Sequence, residues 1–290
     1  LTVSNPDLVK LALPKGRMQE GVFQLLGDAG IKVRVDDRGY RPTVSLDNFE
    51  AKILKPQNIV GMLHAGARDI GFAGADWVAE LGADVVELVD THLDPVRIVA
   101  AMPEAMLEDG KLPQRHLVIA SEYEQLTRRW IARRALDASF LRSWGATEVL
   151  PPEDADVIVD NAATGSTLRA NHLAIIEELM TSSTRLFAHP RALEAPERRQ
   201  RIEDFAMLLR SVLEARSRVI LEVNVAAKDL ERLVAVLPCM RHPTISRLHG
   251  EDAYAVKAAV PHKDLPKLIP LLRASGGSDI IVARLSQIVP

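Results

Sequence analysis

The stretch Asp156-Val-Ile-Val-Asp-Asn-Ala-Ala-Thr-Gly-Ser-Thr-Leu-Arg-Ala-Asn171 decides how this chain is read. Val157 to Val159 form the apolar run of a short buried strand that ends on the carboxylate of Asp160. Small and hydroxyl residues follow through Thr167, and a helix-compatible run opens at Leu168. A strand that delivers a Thr-Gly-Ser-Thr loop onto a helix start makes an anion cradle. The first amides of the helix have no intrahelical acceptor, the helix dipole adds partial positive charge, and Thr164, Ser166 and Thr167 supply hydroxyl donors. Gly165 lets the backbone close on a ligand with no Cβ in the way. Asp160 is placed to accept hydrogen bonds from sugar hydroxyls, so a phosphate followed by a ribose is the implied ligand. The plainer alternative is an N-capped helix after a strand, where Thr and Ser are also favoured.

Working outward, strands and helices alternate. Residues 8–13 read as a buried strand, followed by Pro-Lys-Gly-Arg and a helical run over 18–29; 31–35 is a second strand. Helical character over 58–64 precedes a short strand at 69–73, whose Gly-Ala-Asp76 leads into another helix, and 85–89 closes this set. Strands are expected at 96–101 and 116–120, with a patterned helix over 123–136. Such alternation predicts parallel sheets covered by helices, with sites at the carboxyl ends of strands, where Lys15, Asp76 and Asp160 all fall. The run 196–216 places Ile202, Phe205, Ala206, Leu208, Leu209, Val212 and Leu213 on one broad face, an amphipathic connector helix. After it the pattern changes. Strands at 218–225, around Ile245, at 253–260 and at 280–285, with helices at 229–237 and 265–274, give the ferredoxin-like β-α-β-β-α-β order from about residue 217. Pro266 is tolerated in a first helical turn, and Gly276-Gly277 would end that helix.

Composition bounds the function. A chain of 290 residues is long for one core and predicts two or three domains. With 36 basic and 39 acidic residues the formal charge is −3, which argues against a general nucleic-acid binder. The single cysteine, Cys239, excludes an internal disulfide framework and fits a reducing compartment. No apolar run reaches the length of a membrane span, and the opening Leu-Thr-Val-Ser-Asn-Pro lacks the regions of a signal peptide, so a cytoplasmic address is expected.

With these pieces in place the chain resembles the long form of ATP phosphoribosyltransferase, the first enzyme of histidine biosynthesis, over essentially its whole length. The resemblance rests on Leu13-Pro-Lys-Gly-Arg17, Asp69-Ile-Gly-Phe-Ala-Gly-Ala-Asp76, the loop quoted above, and Arg241-His-Pro-Thr-Ile245. It implies an α/β fold: a two-lobed, type II periplasmic-binding-protein-like catalytic core plus a C-terminal ferredoxin-like (ACT-like) α+β domain. The implied division is residues 1–97 with 186–216 as the first lobe, 98–185 as the second, and 217–290 as the regulatory domain. The implied reaction joins ATP to 5-phosphoribosyl 1-pyrophosphate at adenine N1, with release of pyrophosphate, a need for Mg²⁺, and feedback inhibition by histidine in a homo-hexamer.

Residue roles follow the resemblance. Asp160 would hold the ribose hydroxyls, and Ala163, Thr164, Gly165, Ser166 and Thr167 the 5-phosphate. Lys15 and Arg17 would neutralise the leaving pyrophosphate together with Mg²⁺, which prefers a few carboxylates plus substrate phosphates, so no dedicated protein cage is expected. Lys55, Asp76, Arg97, Tyr123 and Glu148 match positions of the ATP pocket. All but Lys55 have a plainer reading. Arg97 is equally a partly buried arginine paired to a carboxylate, Tyr123 a helix-start contact, Glu148 a surface strand carboxylate, and Asp76 a helix N-cap. Gln57 stands where relatives carry a second basic residue after Lys55-Pro. Arg128, Arg129, Arg133 and Arg134 read as a solvated helix face, from which Arg128 and Arg129 could reach nucleotide phosphates. His64, His172 and His189 read as structural. Glu222 and Thr244 sit where the family contacts inhibitory histidine, and Asp279 falls where relatives have a small residue. The segment 150–156 is one residue shorter than the family pattern.

Three other readings compete. A type I phosphoribosyltransferase carries two adjacent acidic residues before a Thr-Gly-Gly-Thr loop, whereas here Asn161 follows Asp160 and the loop is Thr-Gly-Ser-Thr. A non-catalytic solute-binding protein shares the two-lobed architecture but has no use for a ribose-phosphate loop. A catalytically silent paralogue is opposed by the retained Lys15, Arg17, Asp160 and Thr164.

Overall fold

The computed structural model describes residues 7–35 and 39–289. The opening segment read for a signal peptide lies outside the described residues. The chain divides into two compact units, Leu1–Gly27 with Ile31–Ala206, and Asp28–Gly30 with Met207–Pro290. Among the described residues no helix is long and apolar enough to cross a membrane.

In the first unit the strands are β1 (Val9–Pro14), β2 (Val33–Arg34), β3 (Thr43–Val44), β4 (Phe49–Leu54), β5 (Ile70–Gly74), β6 (Val86–Pro103), β7 (Leu117–Ser121), β8 (Ala138–Arg142), β9 (Val157–Ala162) and β10 (Leu173–Ala188). The helices are α1 (Arg17–Asp28), α2 (Pro56–His64), α3 (Ala75–Leu81), α4 (Glu124–Arg134), α5 (Ser166–Ala170) and α6 (Pro196–Ser217), which runs on into the second unit. Eight strands form one sheet in the order β4-β1-β5-β10-β6-β9-β7-β8, and β2 pairs with β3.

The sheet corrects the expectation of purely parallel pairing. β4-β1-β5 and β9-β7-β8 are parallel groups, but β10 runs antiparallel to β5 and β6, and β6 antiparallel to β9. The physical reason is that two long strands cross between the groups where a helix would otherwise return the chain. The segments expected as separate strands at 85–89 and 96–101 are one strand of 18 residues, β6. It is carried past its polar middle by His92 (φ 55°) and Asp94 (φ 48°), conformations that side chains rarely adopt and that mark irregular pairing. The result is an α/β, two-lobed type II periplasmic-binding-protein-like core in which two parallel strand groups flank the long antiparallel strands β10 and β6.

Burial explains why these segments form. All five residues of β5 are buried, and so are Leu11 to Leu13 of β1. Val22, Leu25 and Leu26 give α1 its buried face, and Ile59, Val60 and Leu63 do the same for α2. In the other half Trp130 of α4 is 1% exposed and packs with Ile98, Ile119, Val157 and Val159. Phe205 of α6 meets Phe72 edge-on at 6.4 Å and Phe49 at 5.5 Å. Each such side chain contributes about 2–3 kcal/mol by leaving water.

The second unit follows the ferredoxin-like order: β11 (Arg218–Ala226), α7 (Leu230–Val234), β12 (Thr244–Arg247), β13 (Ala253–Pro261), α8 (Leu265–Ala274) and β14 (Gly277–Arg284). Its antiparallel sheet runs β12-β13-β11-β14. Strict alternation along β11 turns Val219, Leu221, Val223 and Val225 inward onto Leu233, Leu268 and Leu272. Pro266 stands in the first turn of α8, as expected.

Candidate active site

β9 reaches two residues beyond the expected strand, to Ala162, so Asp160 and Asn161 project from its last turns of pleat. The chain then turns at Gly165 (φ +72°) and enters α5 at Ser166, earlier than the Leu168 start expected, and this helix lasts five residues. A left-handed residue at the turn explains the glycine: a Cβ there would also sit 3.3 Å from Arg169 Nη1. Thr164 Oγ1 donates to Ser166 Oγ at 3.0 Å, and Arg169 Nη1 donates to the Thr164 carbonyl at 3.1 Å, bracing the loop from below. The amides of Ala163, Thr164 and Gly165 have no acceptor among the described residues. Uncommitted amides beside hydroxyls are what an anionic oxygen needs.

Arg17, Glu148, Asp160, Asn161 and residues 162–168 line a cleft of about 260 Å³. Thus Arg17, Glu148, Asp160 and the whole loop converge. Asp160 Oδ1 accepts from the Asn161 amide at 2.7 Å and from its side chain at 3.2 Å. Burial pushes the Asp160 carboxyl up to about 6, opposed by the Asn161 amide and reinforced by the negative charges of Glu148 and Glu122. Glu148 rides on a one-turn 3-10 helix (Thr147–Val149) rather than a strand. Glu122 was not singled out by sequence; its only signal was its place directly after the end of β7.

The comparisons with known proteins point one way. The family model "HisG: ATP phosphoribosyltransferase" matches residues 55–211, and "HisG, C-terminal domain" matches residues 215–287. The chain belongs to the ATP phosphoribosyltransferase family. The ATP phosphoribosyltransferase of Chlorobium phaeobacteroides is 37% identical over 290 residues, covering 98% of this chain and 98% of that protein. That of Pelotomaculum thermopropionicum is 35% identical over 287 residues, covering 97% and 99%. Among solved structures, the ATP phosphoribosyl transferase (HisG:HisZ) complex from Thermotoga maritima superposes with a TM-score of 0.64 at 25% identity, covering 71% of this chain and 99% of that one.

The other positions matched to the ATP phosphoribosyltransferase pattern are not among the residues lining the cleft. Lys15 follows β1, donates its amide to the Leu54 carbonyl at 2.8 Å, and sets its Nζ 3.0 Å from the Tyr40 hydroxyl and 4.9 Å above that ring. It does not line the cleft with Arg17. Lys55 is exposed at the N-cap of α2. Asp76 and Tyr123 are buried, at 4% and 2% exposure, and bonded to each other. The Asp76 carboxylate also accepts from Ser182 Oγ at 2.6 Å, and Trp77 lies 4.9 Å from the Tyr123 ring. Burial, then the Asp76 charge, holds the Tyr123 hydroxyl far above its ordinary value, so it stays a donor. Gly74 precedes this network because a Cβ there would fall 2.1 Å from Asp76 Oδ1. Arg97 faces Glu178 at 3.5 Å. The α4 arginines are engaged too: Arg128 with Glu124, Arg129 with the Ala79 carbonyl, Arg133 and Arg134 with Glu177. His64 Nδ1 accepts the Asp84 amide at 3.0 Å, a structural role.

In the second unit Glu222 is ion-paired to Lys257, and Thr244 stands opposite Lys257 in the β12–β13 register. Thr244 and Lys257 line a cavity of about 330 Å³ with Arg241, His242 and Met240. Asp279 adopts φ +48° and accepts from Asn224 Nδ2 at 3.2 Å.

Proposed function

We propose that this chain transfers the 5-phosphoribosyl group of phosphoribosyl pyrophosphate to N1 of the adenine of ATP, with residues 163–167 gripping the 5-phosphate and Asp160 the ribose hydroxyls. The reaction is the first committed step of histidine biosynthesis. One observation carries the assignment of residues: uncommitted loop amides, hydroxyls and a half-buried carboxylate share one cleft with an arginine.

Adenine N1 attacks the anomeric carbon, the bond from that carbon to pyrophosphate breaks, and its electron pair leaves with pyrophosphate. Positive charge grows on the ribose and negative charge on the leaving group. The Asp160 carboxylate stabilises the first and Arg17 the second, with Lys15 a further cation at the end of β1. Fixed charges aimed at developing charge supply most of the catalysis, and no covalent nucleophile is required. Among the described residues no group of three or more His, Cys, Asp or Glu could hold a metal alone. Asp160 and Glu148 in one polar cleft nevertheless fit magnesium, which binds through one or two carboxylates plus substrate phosphates. When bound it would supply charge neutralisation at pyrophosphate.

Lys55, Asp76, Arg97, Tyr123 and Glu148 would serve the ATP side. The lobe boundaries at 97/98 and 185/186, a regulatory domain from 217, histidine inhibition through Glu222 and Thr244, a homo-hexamer and a cytoplasmic address complete the reading. It is tested by incubating the protein with ATP, phosphoribosyl pyrophosphate and Mg²⁺. The ultraviolet change of an N1-substituted adenine is expected, and its absence would sink the activity.

A further inference from the structure

We infer that Trp144 is the stacking platform for the purine ring of the nucleotide, an inference that rests on the reading of the neighbouring cleft as a nucleotide–phosphoribosyl site. The indole is 85% exposed, on a loop at the carboxyl end of β8 that leads directly to Glu148 in the cleft wall. Tryptophan is highly buried on average, so an indole this open, four residues ahead of Glu148 of the cleft wall, calls for a partner.

The loop is built to hold that ring still. Ser143 and Thr147, on either side, are buried and bonded to each other through their hydroxyls at 2.8 Å, and the Ser143 amide donates to the Ser121 carbonyl at 3.1 Å. Between them Gly145 (φ +84°) and Ala146 (φ +49°) take left-handed conformations that lift the chain outward. Arg142 backs the indole, its guanidinium 5.3 Å from the ring centre. That guanidinium is itself pinned, donating to the Glu122 carbonyl at 2.6 Å and to Glu124 Oε2 at 2.5 Å. One side of the ring is thus braced by a fixed cation, and the other is open.

The chemistry of the cleft says what belongs there. Its lining is polar and includes no aromatic side chain, which suits a phosphate and a sugar but offers nothing to a flat base. Tyr123 is buried with its hydroxyl committed to Asp76. Trp130 is 1% exposed, and Trp77 is half-buried with the Tyr123 ring 4.9 Å away. Trp144 presents an open face, four residues ahead of Glu148 in the chain.

The same distribution makes the test direct, because Trp144 is the exposed one of three tryptophans. ATP alone, added to the full-length protein, should quench solvent-exposed tryptophan emission, and Trp144→Phe should abolish that quench. In steady state Trp144→Ala should raise the KM for ATP about tenfold and leave that for phosphoribosyl pyrophosphate within about twofold, while Trp144→Phe keeps most of the affinity. An unchanged KM for ATP in Trp144→Ala overturns the inference, and so does an unchanged KM accompanied by a smaller assembly, which would assign the ring to a subunit contact. If the wild-type protein forms no product yet ATP still quenches Trp144, the proposed reaction fails and the platform stands.

Discussion

The Tyr123 hydroxyl donates to Asp76 Oδ2 across 2.8 Å, although the two residues lie 47 positions apart. Ser182, 106 positions from Asp76, bonds the other carboxylate oxygen. Three elements, the starts of α3 and α4 and the middle of β10, are therefore tied at one buried carboxylate. Tyr123→Phe removes one donor and leaves a buried acceptor half satisfied, so it should destabilise the protein by about 1–3 kcal/mol. Urea unfolding at constant m-value checks this; an unmoved midpoint would show that the bond contributes nothing net.

Asp160 supplies a pH dependence with a definite sign. Its folded-state value is raised to about 6 from an ordinary 3.8, so between those values the folded protein binds more protons than the unfolded chain. Its contribution to stability is intact below the unfolded value and is lost as pH rises through about 6. Asp160→Asn should therefore stabilise the protein at pH 8 by about 1–2 kcal/mol while flattening the pH dependence of its melting temperature. Gripping a diol needs the ionised form, so wild-type affinity for phosphoribosyl pyrophosphate should fall below about pH 6 and that of Asp160→Asn should not track pH there. Parallel titrations at pH 5 and pH 8 decide it.

Arg17 lines the cleft and Lys15 rests on Tyr40. Arg17→Ala should lower kcat/KM for phosphoribosyl pyrophosphate about a hundredfold, the scale of one lost fixed charge at a developing anion, and Lys15→Ala should lower it less. The reverse order in initial-rate measurements would place the leaving group at Lys15.

The cavity of about 330 Å³ beside Thr244 and Lys257 is the place to test regulation. Thr244→Arg should fill it and remove histidine inhibition with kcat unaltered. Inhibition curves that superpose on the wild type would move the sensor elsewhere.

Much of the fold was legible because its signals are local. The buried run of β1, the alternation of β11 and the apolar face of α6 each announce an element within a few residues. β10 was not legible. Its Leu-Ala-Ile-Ile-Glu-Glu-Leu-Met opening is rich in helix formers, and bulges at five points break the two-residue period that would mark a strand. Missing it also hid the antiparallel centre of the sheet. At the cleft, the sharing of one wall by Asp160 and the Thr164–Thr167 loop was readable because one continuous segment carries them. The carboxylates of Glu122 and Glu148 around Asp160, and the Ser182 hydroxyl on Asp76, come together only through the sheet, and no spacing in the chain records that.

The grip of residues 163–167 on the terminal phosphate is tested most directly by calorimetric titration of Gly165→Val with phosphoribosyl pyrophosphate. At φ +72° a β-branched side chain strains the turn and crowds Arg169, so the cradle should lose its shape. Binding at least about a hundredfold weaker than wild type is the predicted result, with the melting temperature lowered by no more than about 4–8 °C. An affinity equal to that of the wild-type protein would contradict it.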